Sequence, residues 1–113
     1  MIDDDGDARD LMAAIVARAG YTVMTARDGR EALDLLNRVR PSVIFVDLWM
    51  PVMNGHEFRE AQRRNRVWLT IPTVVMTGTS EEPLLDLAIE ETLQKPVKAK
   101  QVIEIVRRHA GSL

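Results

Sequence analysis

Two short runs, Ser42-Val43-Ile44-Phe45-Val46 and Thr73-Val74-Val75-Met76-Thr77, limit the folds open to this chain more than any other feature. Each is shorter than a typical helix, rich in β-branched residues, and apolar almost without interruption. A half-buried strand would alternate polar and apolar residues; these do not, so they read as strands covered on both faces, the situation of a parallel sheet flanked by helices. The first run ends on a carboxylate, Asp47, after which Met50-Pro51 and Asn54-Gly55 turn the chain. The second ends on Thr77-Gly78.

Helical patterns fill the intervals. Leu11, Met12, Ile15, Val16 and Ala19 fall on one face between Asp7 and the stop at Gly20, and Tyr21 to Thr25 is a short β-branched run. Asp28-Gly29-Arg30-Glu31 and Asn54-Gly55-His56-Glu57 both have the acceptor-x-x-Glu form of a capping box. They predict helices from about Arg30 to Val39, ended by Pro41, and through Phe58 and Ala61 to about Asn65. A third such signature, Thr79 to Glu82, precedes a short helix over Leu84 to Ile89. Thr92-Leu93-Gln94 is a brief strand, and Val97 to Arg108 places Val102, Ile103 and Val106 on one face of a last helix, with Arg107 and Arg108 at its C-terminal dipole.

Strands alternating with helices imply right-handed crossovers, a parallel sheet and the α/β class. At 113 residues, 46% hydrophobic and 28% charged, the chain is long enough for one packed domain, residues 1–113, and too short for two. A formal net charge of −2 gives no basic stripe, which disfavours direct nucleic-acid binding. No apolar run approaches the roughly 20 residues of a membrane span, and the acidic start Met1-Ile2-Asp3-Asp4-Asp5 lacks the form of a secretory leader. There is no cysteine, hence no disulfide framework and no thiolate metal site; a cytoplasmic setting without membrane contact is the expectation.

In such sheets ligands sit beyond the carboxyl ends of the strands, where Asp47, Thr77 and Lys95 all fall. Met1-Ile2 reads as the end of a first strand, which puts Asp3, Asp4 and Asp5 at the same edge. One Asp there is explained by capping the helix that follows; three are not. Carboxylates brought to about 5 Å repel by roughly 3 kcal/mol per pair at an effective dielectric near 20, so a cation must offset them. A hard divalent ion such as Mg²⁺ suits an all-oxygen ligand set, and Lys95 would add a second positive charge. A carboxylate so placed can act as a nucleophile towards phosphorus when charge on the transferring group is neutralised.

The arrangement resembles the response-regulator receiver domain of two-component signalling over nearly the whole chain. The motifs are Asp3-Asp4 after the first strand, VIFVDLWMPVMNG around Asp47, VVMTG with Thr77, and LQKPV with Lys95. The spacing agrees, with 43 residues from Asp4 to Asp47 and 30 from Asp47 to Thr77. The D-x-x-M-P-x-M-x-G form is the specific one. The resemblance implies a flavodoxin-like, doubly wound, five-stranded parallel sheet of order 2-1-3-4-5, here with a truncated first strand. It implies that Asp47 accepts a phosphoryl group from a sensor histidine kinase or a histidine phosphotransfer protein. It further implies that Asp4, Asp47 and the Trp49 carbonyl hold Mg²⁺ with Asp3 acting through water, that Thr77 binds a phosphoryl oxygen, and that Lys95 pairs with the phosphate. The Lys95-Pro96 peptide would be cis, and Asp4-Asp5 is an alternative register for the acidic pair. The protein would be no turnover enzyme on an external substrate.

Three features depart from that pattern. Only Met1 and Ile2 precede the acids; Thr92 stands where an aromatic switch residue is usual; and Thr77 to Lys95 spans 18 residues, about one helical turn short, with Ala88-Ile89 in place of Gly-Ala. The resemblance places output to a downstream target protein on the face of the fourth helix, fifth strand and fifth helix. Either the sequence is cut short at its start, or the rest of the first strand is supplied otherwise, for example by exchange between protomers of a homodimer. Trp49 is large for its place beside Asp47 and would shield an acyl phosphate from water; a partly exposed cover for the Met50-Pro51 turn is the other reading. His56 and His109 read as helix-surface residues, Met50, Met53 and Met76 as adaptable packing, and Arg63, Arg64 and Arg66 as a solvated helix end. Two other functions compete: a dehalogenase-type enzyme, which needs an Asp where Trp49 stands, and a phosphorylation-silent docking or dimerisation module.

Overall fold

Strand β1 (Ile44–Asp47) lies parallel to β2 (Thr73–Thr77), and β2 lies parallel to β3 (Glu91–Gln94), with Ile44 opposite Thr73 and Thr77 opposite Gln94. The structure, a computed structural model, describes residues 1–50, 52–78 and 91–111. Every residue of β1 and β2 is buried, as their unbroken apolar composition predicts for strands covered on both sides. Ile2 extends the sheet beyond β1 by two single parallel bridges, to Val46 on one side and Ala26 on the other. The order across the sheet is therefore Ala26, Ile2, β1, β2, β3, which is the 2-1-3-4-5 order of the flavodoxin-like fold with its first two strands reduced to one bridge each.

Residues 21–25 were expected as a strand and carry no ladder. Their burial still alternates residue by residue, and among the described residues the bonds from Met1 meet this segment at Met24 and just beyond it at Ala26.

The two faces of the sheet carry two apolar clusters. Ile44, Val46 and Val75 pack with Leu36 and Phe58 on one side, while Phe45, Val74 and Met76 pack with Val16, Val102 and Val106 on the other. Helices α2 (Gly29–Leu36) and α3 (Gly55–Arg63) cover the first face; α1 (Gly6–Arg18) and α4 (Ala99–Ala110) cover the second. In α4 the buried residues are Val102, Ile105 and Val106; Ile103, expected among them, is only partly buried because the i, i+3, i+4 stripe runs through Ile105. The third capping signature and the helix expected over Leu84 to Ile89 lie outside the described residues.

Caps set the helix starts. Asp5 accepts from Ala8 N–H at 3.1 Å, and Asn54 and Glu57 form the full reciprocal box. At Asp28 only half of the box closes: Asp28 accepts from Glu31 N–H, whereas the Glu31 carboxylate accepts from Arg27 N–H, one residue before the cap. A buried polar cluster pins α3 to β2: Gln62 donates to the Trp68 and Ile71 carbonyls, and the Thr73 hydroxyl donates to Gln62 Oε1 at 3.1 Å.

Gly55 opens α3 against the end of β1. A Cβ there would lie 2.8 Å from both the Asp47 carbonyl oxygen and Leu48 Cα, main-chain atoms that cannot swing aside. Gly55→Ala is expected to destabilise the fold by about 1–3 kcal/mol, read as a lower midpoint in urea with an unchanged slope.

Candidate functional site

Four chain segments converge at the C-terminal edge of the sheet. Asp47 N–H donates to Ile2 O at 2.9 Å and Asp3 N–H to Ala26 O at 3.1 Å, so the last rungs of the sheet set Asp3 beside Asp47. Asp47 is the last residue of β1, Thr77 the last of β2, and Lys95 follows β3 directly, its N–H donating to Thr77 O at 2.7 Å. The Lys95-Pro96 peptide is cis.

Lys95 Nζ donates to Asp47 Oδ2 at 2.9 Å and reaches Asp3 Oδ2 at 3.4 Å. Both acids are buried; Asp4 is exposed. Trp49 N–H donates to Asp47 Oδ1 at 3.3 Å, and Asp5 N–H donates to Asp3 Oδ1 at 3.0 Å. Asp5 itself is taken up by capping α1, so the acids that face Asp47 are Asp3 and Asp4.

Burial pushes the Asp47 carboxyl up from 3.8 to about 6; Lys95 opposes the rise through its hydrogen bond and charge, and Asp3 adds to it. Burial alone would lower the Lys95 ammonium, but the hydrogen bond to Asp47 and the charges of Asp3 and Asp47 outweigh it and raise the group.

One oxygen from each of Asp3, Asp4 and Asp47 lies within 4.8 Å of the others. In an octahedral Mg²⁺ shell neighbouring oxygens lie about 3.0 Å apart and opposite ones about 4.2 Å, so side-chain adjustment would draw these three carboxylates in around one ion. The all-carboxylate set is also the hard donor chemistry that Mg²⁺ prefers. The residues therefore fit such an ion.

Thr77 is buried at the floor of the site, while Thr92 on β3 points its side chain to solvent. Trp49 is 56% exposed and meets the His56 ring edge-on at 5.9 Å between centroids, a contact not expected from a histidine read as a bare helix-surface residue. Arg9, one turn into α1, was also missed. Its Nη1 donates to the Asp3 carbonyl at 3.2 Å and its Nε pairs with Asp10. Nothing in the local sequence marks it, because the contact depends on how α1 leaves the acidic turn.

A family model described as the response regulator receiver domain matches residues 1–107. An uncharacterised 14.6 kDa protein of Leptolyngbya boryana is 31% identical over 113 residues, covering 96% of this chain and 86% of that protein. The chemotaxis response regulator CheY4 of Vibrio cholerae overlays with a TM-score of 0.84 at 31% identity, over 95% of this chain and 92% of the other. The receiver domain of a Pseudomonas aeruginosa sensor histidine kinase, which holds a magnesium ion in its active site cleft, shares the fold with a TM-score of 0.87 at 23% identity, over 98% and 94% of the two chains. Several other curated relatives are longer, and the chain spans 25% to 48% of their length.

The raised Asp47 carboxyl carries a stability cost. Its proton is held more tightly in the folded chain than in the unfolded one, so the stability that protonation contributes is complete below about 3.8 and lost as pH rises through about 6. In metal-free buffer at pH 7, Asp47→Asn is expected to unfold at higher urea than the parent, by on the order of 1 kcal/mol after allowance for screening, with the gap closing towards pH 4.

Proposed function

Since the chain belongs to the response regulator receiver domain family, we propose that Asp47 is its phosphoacceptor. The observation that carries the proposal is the Asp47 carboxylate buried at the end of β1, held by Lys95 at 2.9 Å and flanked by Asp3, Asp4 and Thr77.

The chemistry follows from this chain's own residues. The sheet end holds Asp47 rigid, with the Trp49 N–H donating to one carboxylate oxygen and Lys95 to the other. An oxygen of Asp47 attacks phosphorus of a phosphohistidine; the P–N bond breaks, the imidazole leaves, and an aspartyl phosphate forms. Asp3, Asp4, Asp47 and the Trp49 carbonyl are the groups that would hold Mg²⁺, which when bound supplies charge neutralisation for the phosphoryl oxygens. Lys95 then moves its ammonium from the carboxylate to the phosphate, and the Thr77 hydroxyl donates to a second phosphoryl oxygen. Hydrolysis returns Asp47, so the protein turns over no external substrate.

The phosphodonor on this reading is a sensor histidine kinase or a histidine phosphotransfer protein, and residues 1–113 act as one receiver domain. The output surface combines β3, α4 and the stretch 79–90, which lies outside the described residues; it would meet a downstream protein or a second copy of the chain. Thr92 leaves β3 without an aromatic reporter, and the bond from Lys95 N–H to Thr77 O is one link from the site to that face. Among the described residues no helix is long and apolar enough to cross a membrane, and a cytoplasmic role without direct nucleic-acid contact suits the acidic net charge.

Acetyl phosphate with Mg²⁺ tests the assignment by intact mass. One phosphoryl adduct is expected on the parent chain, none on Asp47→Ala, and formation about 100-fold slower on Lys95→Ala, which loses one charge-stabilising donor. No adduct on the parent would favour the docking module instead.

Trp49 sits two residues from the acceptor and its ring is braced against His56 rather than buried. It screens the acyl phosphate from water on this reading. Trp49→Asn is expected to shorten the half-life of the adduct several-fold, and a half-life that is unchanged or longer would sink the role.

A further inference from the structure

Each described helix follows a segment that leaves the sheet at the Asp47 edge, so each helix ends at the opposite edge. Arginines gather there. Helix α1 ends on Arg18 and α4 on Arg107 and Arg108, placements that the helix dipole explains. The dipole acts only within the last turn, and it does not account for Arg38 and Arg40, past the end of α2 at Leu36, or for Arg66, three residues past α3. Ile44 N–H donates to Pro72 O at 2.9 Å where β1 and β2 begin, so the segments that lead from α2 and α3 into these strands are neighbours at that edge. Arg38, Arg40, Arg63, Arg64 and Arg66 are all exposed on them. Glu60 meets Arg64 at 3.9 Å, and among the described residues no ion pair holds Arg38, Arg40 or Arg66.

Two aliphatic side chains stand out among these charges. Val67 and Leu69 are 46% and 45% exposed on either side of Trp68, which packs against the apolar cluster under α2 and α3. The segment is braced in this form. Asn65 Oδ1 accepts from Val67 N–H at 2.9 Å and from Trp68 N–H at 3.0 Å, Gln62 donates to Trp68 O at 2.8 Å, and the Thr70 hydroxyl donates to Val67 O at 2.8 Å.

A net charge of −2 conceals the separation of the two edges. Asp3, Asp4 and Asp47 lie at one edge and these arginines at the other, and the chain measures 23 Å along even its shortest axis. The Debye length at physiological ionic strength is about 8 Å. An anionic surface at the arginine edge is therefore attracted by the near charges and screened from the acids.

We propose that this edge docks the protein on an anionic lipid bilayer, with Val67 and Leu69 entering the headgroup region and the surrounding arginines meeting lipid phosphates. The arginines come from two separate segments of the chain. A partner of fixed shape must match both at once, whereas fluid headgroups move to meet them. The aliphatic pair suits the acyl boundary, which a nucleic-acid backbone does not offer. Docked in this way the protein turns the Asp47 edge away from the membrane and leaves it open, and the docking does not depend on whether Asp47 is phosphorylated.

The probe is a phosphatidylcholine vesicle carrying about 30% phosphatidylglycerol, added to the 113-residue chain at about 0.1 M salt and followed by co-sedimentation. Partitioning to these vesicles and not to pure phosphatidylcholine is expected, with loss at about 0.5 M salt. An arginine near an anionic surface adds about fivefold, so replacing Arg38, Arg40 and Arg66 together by Gln is expected to weaken partitioning on the order of 100-fold. Val67→Ser with Leu69→Ser is expected to weaken it roughly tenfold while leaving its salt dependence in place. Orientation supplies a readout independent of those variants. In vesicles with brominated acyl chains, Trp68 should be quenched in Trp49→Phe, and Trp49 should not be quenched in Trp68→Phe. No partitioning of the parent, equal partitioning to neutral vesicles, or equal quenching of the two tryptophans would overturn the proposal. So would tighter binding of poly-glutamate or a DNA duplex than of the vesicles at equal anionic charge, since a polyanion would then own the edge.

Discussion

Lys95 joins carboxylates from two other segments of the chain, and the arrangement of the site depends on that contact. Asp3 and Asp47 are buried side by side, with Asp4 close by, and their mutual repulsion would separate Met1-Ile2 from β1 if nothing opposed it. At contact distances each Lys95 attraction is on the order of 4 kcal/mol at an effective dielectric near 20, about the size of one acid–acid repulsion. One lysine against three acids leaves a formal charge of −2 at the site when all are ionised, the complement of one divalent cation. The same balance explains why burial raises Asp47 despite the ammonium beside it.

Apolar packing gives that charge cluster a fixed frame. Val46, Val74 and Val75 are fully buried, and Leu48 N–H continues to β2 through Met76 O, so the residues before and after Asp47 are both tied down. Gly55 lets α3 start within van der Waals contact of that strand end, closer than any side chain would allow. The glycine of the motif around Asp47 is thus a packing requirement of the acceptor strand, separate from the chemistry of the carboxylate.

Residue patterns revealed the parts of this fold that rest on local physics. The two unbroken apolar runs became β1 and β2, and the acceptor-x-x-Glu signature at Asn54 closed as a capping box. Asp3, Asp4, Asp47 and Lys95 were legible because strand ends in an α/β sheet share one edge. Contacts that depend on the path between elements were not legible. Arg9 reaches the Asp3 carbonyl only because Asp5 caps α1 and starts it at Gly6, and His56 meets Trp49 only because α3 starts directly beneath the turn. The strand expected over residues 21–25 shows the same limit: strand propensity alone makes no ladder, and among the described residues only Met24 and Ala26 are bonded to Met1-Ile2 and Asp3.

That shortfall lies next to the site rather than far from it. Ile2 is a single residue bridging two walls, and its carbonyl is one of the bonds that orient Asp47, while Asp3 hangs from Ala26 by the next. Among the described residues, two bridges and the Lys95 ion pairs carry this load. The order of the acidic site is therefore mechanically linked to Met1-Ile2, because the bonds that fix this segment between Ala26 and β1 also restrain the two carboxylates that Lys95 holds together.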